Sequence, residues 1–338
     1  MAPKPLLAVD WLKAVISRKE RKIEGMQLTV EKLTKSFGEK QVLRDISFSC
    51  EGGHALGLLG RNGAGKTTTI RIIMDLFPPD SGSVLLDGAP IAGSGVQIGY
   101  LPEERGMYPK KIIMDQLTYF GALRGMGTQQ AKRSAKQLLD RLEMGQYANK
   151  KLDTLSKGNQ QKIQLAAALI SNPDIVILDE PFSGLDPVNA MLLKDLVREL
   201  ISQGKIVLFS SHQMNYIEEF CDDIAVIRDG EIVLSGNIRQ IKRSYDRDKI
   251  LITASNCTSI RQYLEREQGG IVRQIEKVQG DTGVLVHLRS AKDKQALLAG
   301  LAAQSLDFDS FQVYEPSLSD IFVDYTEDAK QPSDREKA

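Results

Sequence analysis

No stretch of the sequence approaches the roughly 20 consecutive apolar residues needed to span a bilayer. The first residues also lack the apolar core and small-residue cleavage site of a secretory leader. A role at a membrane therefore calls for another chain as anchor. Cysteine is scarce. Cys50, Cys221 and Cys257 lie far apart with no CxxC or Cys/His spacing, which argues against a zinc site or a disulfide framework and suits a reducing cytosol. Neither sign of charge is in excess, with 44 Lys plus Arg against 44 Asp plus Glu, so no net field draws the chain towards nucleic acid or an anionic membrane. The sequence shows no internal repeat and no low-complexity segment.

What is present is enough chain for more than one core. At roughly 150 residues per domain, 338 residues predict about two domains. Residues 1–25 read as a separate extension, with Ala8, Trp11, Leu12, Val15 and Ile16 on one helical face ahead of a mixed-charge run. From Met26 the texture changes to short β-like runs, QLTVEKL and VLRDISFSC, then a strand HALGLLG and a helix from about Gly65 to Phe77. The apolar runs at Ile175–Leu178 and Lys205–Phe209 have the length of buried parallel strands. Residues 105–170 are mostly helical and sit between strand regions, as an inserted helical subdomain does. Beyond Gly236, KILITAS, SIRQYLERE, GVLVHLRS, KQALLAGLAAQ and FQVYEPSL alternate strand and helix, which predicts a small α+β domain over residues 239–328 and a polar tail over 329–338. His54 and His287 carry no motif and are expected on strand surfaces.

The segment Gly60-Arg61-Asn62-Gly63-Ala64-Gly65-Lys66-Thr67 fits G-x-x-x-x-G-K-[ST] at every fixed position, in a strand-then-helix setting. Glycines let the backbone N–H groups converge on a β-phosphate at a helix N-terminus that already favours an anion. Lys66 is expected to bridge β- and γ-phosphates, with the Thr67 hydroxyl on Mg²⁺ and Thr68 beside it in the binding loop. A magnesium ion needs a second protein anchor. The run IVILDEP ends an apolar strand in adjacent carboxylates, of which Asp179 is expected to hold the ion and Glu180 to polarise the attacking water.

Two further stretches sort this phosphate-loop protein among its kinds: LSKGNQQ at Leu155–Gln161 and FSGLDP at Phe182–Pro187. LSKGNQQ is similar to the LSGGQ signature of ATP-binding-cassette (ABC) ATPases, SGLD matches the D-loop of that family, and His212 in FSSHQM falls where its switch histidine does. Order and spacing of the motifs cover roughly Met26 to Gly236. The resemblance implies a cassette at 26–238, with a parallel core sheet, an antiparallel β subdomain and an inserted helical subdomain, followed by the small C-terminal α+β domain. It implies ATP with Mg²⁺ and a head-to-tail pair of cassettes, in which Ser156, Gly158 and Asn159 of one chain meet the ATP of the other. That second cassette is a further copy of this chain or a paralogue. Phe37 takes the place of the aromatic on which adenine stacks. Glu103, in GYLPEERGMYP, replaces the family's glutamine near the metal; it adds charge and cannot donate a hydrogen bond. Lys157 and Asn159 also depart from the signature, while Ser156 and Gly158 are kept.

The combination of YLPEERGMYP, LSKGNQQK and a C-terminal PSLSDIF resembles the ATPase subunits of bacterial exporters for sodium, drugs or peptides. Such a subunit is expected at the cytoplasmic face of the membrane, on a separately encoded transmembrane permease, with no nucleic acid involved. The alternative is a soluble ABC ATPase acting on ribosomes, DNA repair or chromosomes. Those proteins usually fuse two cassettes or insert a long coiled coil, and neither feature is present.

Overall fold

The computed structural model describes residues 25–104, 106–245, 247–267, 270–277 and 283–326. The amphipathic run of the N-terminal extension and the polar tail lie outside them. The described residues divide into two compact units: one runs to Asn237 and resumes at Asp324, the other spans Ile238–Val323.

The first unit opens with an antiparallel ribbon, β1 (Gln27–Phe37) and β2 (Lys40–Glu51), turning at Gly38. Next come β3 (Ala55–Gly60), helix α1 (Lys66–Ile73), and the strands β4 (Ser81–Leu86) and β5 (Ala89–Pro90), which complete a four-stranded antiparallel sheet in the order β2-β1-β4-β5. Helix α1 stops at Ile73, short of Phe77 as the apolar run suggested, because Asp75 turns into the left-handed region at φ 56°. After β6 (Ile98–Leu101) come three helices, α2 (Ile113–Leu123), α3 (Thr128–Arg141) and α4 (Lys157–Leu169). Strand β7 (Ile175–Asp179), helix α5 (Pro187–Ser202), strand β8 (Ile206–Ser210), helix α6 (Met214–Phe220) and the hairpin β9 (Asp223–Arg228) and β10 (Glu231–Asn237) finish the unit.

The central sheet runs β10-β9-β3-β8-β7-β6, parallel throughout except for the β9–β10 hairpin. Burial on both faces explains its composition. Every residue of IVILD in β7 and IVLFS in β8 is buried, as strands covered on two sides require. Because the strands run the same way, the carboxyl ends of β3, β7 and β8 share one edge, where open α/β sheets bind ligands. Leu58 sits at the centre of this core with no exposed surface.

The second unit contains α7 (Ile238–Ser244), β11 (Lys249–Thr253), α8 (Thr258–Arg266), β12 (Val272–Lys277), β13 (Gly283–Leu288), α9 (Lys294–Ala303) and β14 (Ser310–Val313); α10 (Leu318–Thr326) starts in it. Its sheet order, β12-β13-β11-β14 with every pairing antiparallel, is the split βαβ arrangement in which α8 and α9 cross over between strands. Ile250, Ile252, Val284, Val286 and Leu288 supply its core with Ile260, Leu264, Leu297 and Leu301 from the helices. His287 is not on the surface as expected. It is 6% exposed, with Nε2 3.0 Å from Glu276. No described helix is long and apolar enough to cross a membrane.

Removing the Leu58 side chain leaves a cavity in a sheet with covered faces, so Leu58→Ala is expected to lose roughly 2–5 kcal/mol. Urea unfolding followed by circular dichroism checks this; an unchanged midpoint would show that the centre of the sheet is not where its stability resides.

Candidate active site

The phosphate loop leaves the end of β3 and returns as α1. Two of its glycines are demanded by geometry. Gly60, at φ 155°, brings its Cα so close to β9 that an added Cβ would lie 2.5 Å from the Ile227 carbonyl oxygen. Gly65, at φ 120°, would place a Cβ 2.6 Å from Leu43 Cδ2. Gly65 is also the N-cap of α1 and provides no side-chain acceptor, so the N–H groups of the first turn keep their capacity for an anion. The loop is fixed from behind by the Gly230 amide, which donates to the Ala64 carbonyl at 3.1 Å.

Lys66 donates through Nζ to the carbonyl oxygens of Gly60 at 2.6 Å and Arg61 at 3.3 Å, which places its ammonium over the loop. Burial lowers its pKa, opposed by the negative charges of Asp179, Glu180 and Glu103. Thr67 is exposed and Thr68 half-buried, while Arg61, Asn62 and Gly63 form the open crest of the loop and Ala64 is buried. A loop of bare N–H groups, a lysine and an exposed threonine hydroxyl fits a nucleotide triphosphate with its cation.

Strand register brings the acidic pair to this edge. Asp179, the last residue of β7, pairs with Ser210, the last of β8. The chain then turns sharply: Glu180 takes φ 49°, and its amide donates to the Ser210 carbonyl at 2.8 Å. Asp179 and Glu180 are 8% and 7% exposed. Burial raises the Asp179 pKa, and Glu103 and Glu180 raise it further against the pull of Lys66. Tyr100, on β6, donates its hydroxyl to Asp179 Oδ2 at 3.4 Å, and burial with the Asp179 charge pushes its phenol up to about 12.

The Glu180 carboxylate is held from the segment after β8. Its Oε1 accepts the His212 main-chain amide at 2.8 Å and faces His212 Nδ1 at 2.8 Å, and its Oε2 accepts the Ser211 hydroxyl at 3.0 Å. An ionised carboxylate only accepts, so Nδ1 carries the proton in this contact and Nε2 is left on the exposed side of a ring with 75% side-chain exposure. Behind the pair, Phe182 stacks on Tyr216 at 3.9 Å between centroids and packs near-parallel to Phe209 and Phe220. This stack fixes α6 and the segment that carries Ser211 and His212.

The remaining expected residues stand apart from this cluster. Ser156 is the N-cap of α4, its hydroxyl accepting from the Asn159 amide at 3.4 Å. Gly158 lies against the D-loop, an added Cβ meeting Leu185 Cδ2 at 3.5 Å. Among the described residues, no hydrogen bond or ion pair is recorded between Ser156, Gly158 or Asn159 and the phosphate loop. Phe37 ends β1, 52% exposed as a residue, with its ring edge-on to Phe77 at 5.7 Å between centroids. Glu103 is exposed, its charge felt by Lys66, Asp179 and Tyr100. Ser211 and Tyr100 escaped the sequence reading. Ser211 adjoins His212 in sequence, and that adjacency was its one signal; Tyr100 reaches Asp179 through the β6–β7 pairing.

Comparison with known proteins agrees with the fold. The family model described as "ABC transporter" matches residues 43–183, and the one described as "ATP-binding protein DrrA1-3-like, C-terminal domain" matches residues 236–326. The ABC transporter ATP-binding protein YhaQ of Bacillus subtilis, itself uncharacterised, is 39% identical over 298 residues, spanning 88% of this chain and 97% of its own. The linearmycin resistance ATP-binding protein LnrL of the same organism is 32% identical over 309 residues, spanning 88% of this chain and 98% of its own. A solved ATP-binding subunit of an ABC transporter superposes with a TM-score of 0.59 at 29% identity, covering 64% of this chain and 92% of that one. The chain belongs to the ATP-binding subunits of ABC transporters, a family that hydrolyses ATP to power transport.

Burial and the neighbouring carboxylates raise the Asp179 pKa, which sets a cost on the fold. The folded protein binds the proton more tightly than the unfolded chain, so stability is highest below the ordinary carboxylate range and falls as pH rises through the raised value. Without nucleotide or magnesium, Asp179→Asn, which has no charge to keep buried, is expected to melt above wild type at pH 7.5. The gap should narrow as pH is lowered. Differential scanning fluorimetry at pH 7.5 and at about pH 5 measures this, and a gap of the same size at the two pH values would contradict it.

Proposed function

We propose that this ATPase subunit energises an exporter, working as one of two cassettes on a separately encoded transmembrane permease at the cytoplasmic face of the membrane. The observation that carries the reading is the convergence of the phosphate loop, Asp179, Glu180 and His212 at the carboxyl ends of β3, β7 and β8. Export is supported by the similarity to LnrL, which covers nearly all of that protein and whose name attaches it to resistance.

In this reading the N–H groups of Gly63–Thr67 and the α1 N-terminus hold the β-phosphate, with Arg61, Asn62 and Thr68 completing the cradle. Lys66 leaves its loop carbonyls to bridge β- and γ-phosphates. Phe37 offers its exposed face to the adenine ring. Thr67, Asp179 and Glu103 are the groups that would hold Mg²⁺, which neutralises charge on the transferring phosphate when bound. Glu180 accepts a proton from the attacking water, and His212, fixed through Nδ1, turns Nε2 towards the γ-phosphate. Ser156, Gly158 and the Asn159 amide, presented at a helix N-terminus, complete the site of the opposite cassette.

Glu180→Gln is expected to keep ATP affinity, accumulate an ATP-bound dimer on gel filtration and lose at least about a hundredfold in turnover. Normal turnover would remove Glu180 from the role of base. Phe37→Ala is expected to raise the KM for ATP about five- to tenfold while Phe37→Tyr stays near wild type; equal KM values in steady-state assays of both variants would place adenine elsewhere.

A further inference from the structure

We propose that Ser211 is a positioning residue for ATP hydrolysis, its hydroxyl aiming the Glu180 carboxylate at the attacking water through Oε2. This rests on the reading of Glu180 as the base. The argument is one of donors and acceptors. A carboxylate has two oxygens and about four lone-pair directions, and it accepts only. Oε1 already faces the His212 amide and His212 Nδ1, both at 2.8 Å, which uses its two directions. Among the described residues, Oε2 receives a single donor, the Ser211 hydroxyl at 3.0 Å, so the open direction of the carboxylate lies on Oε2, beside Ser211.

The direction of that hydroxyl is itself determined. Ser211 Oγ accepts the Gln213 main-chain amide at 3.1 Å, and an amide can only donate. The one hydroxyl proton therefore points at Glu180. Ser211 is 4% exposed, so little water competes for its hydroxyl. The need for such a tether follows from side-chain mechanics. The terminal torsion of a glutamate is broad, so a carboxylate held at one oxygen swings about that oxygen. With Oε1 fixed by His212 alone, the plane of the group and the lone pair on Oε2 would wander. With Ser211 in place, the open lone pair has a fixed direction. The water proton moves to Oε2 as the water oxygen bonds to the γ-phosphorus and the bridging bond breaks with its electron pair going to ADP. Such base catalysis depends on alignment as well as on basicity.

The test is steady-state ATP hydrolysis by the full chain carrying Ser211→Ala or Ser211→Cys, beside Glu180→Gln and the Glu180→Gln/Ser211→Ala pair, with ATP affinity measured by a fluorescent ATP analogue. Cysteine keeps the volume and gives up a good donor, so it separates the hydrogen bond from packing. Both single Ser211 variants are expected to lose about tenfold in kcat, with KM and analogue affinity within about twofold of wild type. Adding Ser211→Ala to Glu180→Gln should cost nothing further. An unchanged kcat in Ser211→Ala, a wild-type kcat in Ser211→Cys, a loss that appears in KM, or an additional loss in the double variant would each overturn the proposal. Normal turnover by Glu180→Gln would instead bring down the reading of Glu180 itself, whatever Ser211 does.

Discussion

The chemistry at the edge of the central sheet depends on one pairing, the parallel register of β7 with β8. Because Asp179 pairs with Ser210, the residues that follow each strand leave the sheet side by side. The next residue of one chain segment is the carboxylate, and the next two of the other are its hydroxyl and imidazole partners. A slip of one residue would send Asp179 to the opposite face of the sheet and separate Glu180 from both. The uniformly apolar composition of the two strands suits them to burial, and the register itself is held by the backbone ladder and by the stack of Phe182, Tyr216, Phe209 and Phe220. In a chain with 6% aromatic residues, that concentration of rings next to the site is a sizeable share of the available stiffness.

Electrostatically, the same edge is unbalanced. Asp179 and Glu180 are almost fully buried, Glu103 adds a third negative charge, and Lys66 is the cation whose pKa responds to all three. Buried like charges weaken a fold unless something compensates. In the proposed reading, a divalent cation carried by the nucleotide would supply positive charge where the carboxylates need it, and the phosphates would meet the lysine and the loop amides. Ligand binding and relief of internal repulsion would then be the same event, coupling nucleotide occupancy to the stiffness of this edge.

The parts of this arrangement that were legible in the sequence are those whose physics is local. A phosphate loop needs its glycines, lysine and threonine within one turn of chain, and an acidic pair after an apolar strand is contiguous; both could be read off directly. The buried parallel strands followed from short continuous apolar runs and the C-terminal α+β domain from alternating strand and helix patterns, while the cassette itself was what the motif resemblance implied. What could not be read depends on neighbours distant in sequence. Tyr100 and Asp179 are separated by 79 residues and meet through strand pairing. Strand β12, VRQIEK, mixes charge with few apolar positions and gave no pattern; helix α10 was visible as a motif, SDIF, without its conformation. His287 looked like a surface residue because nothing local predicts the packing above it. The end of α1 at Ile73 is set by the left-handed Asp75, which apolar periodicity does not register.

The backbone at Glu180 has a wider consequence. A non-glycine residue at φ 49° carries a conformational cost of about 1–2 kcal/mol that glycine would not. Selection for folding alone would therefore favour glycine at this position, where a side chain is indispensable to the proposed base. Directed evolution of this protein for heat tolerance, run without a coupled activity readout, would enrich inert sequences at position 180. In the proposed reading, the identity of this glutamate reflects selection for turnover more than selection for folding.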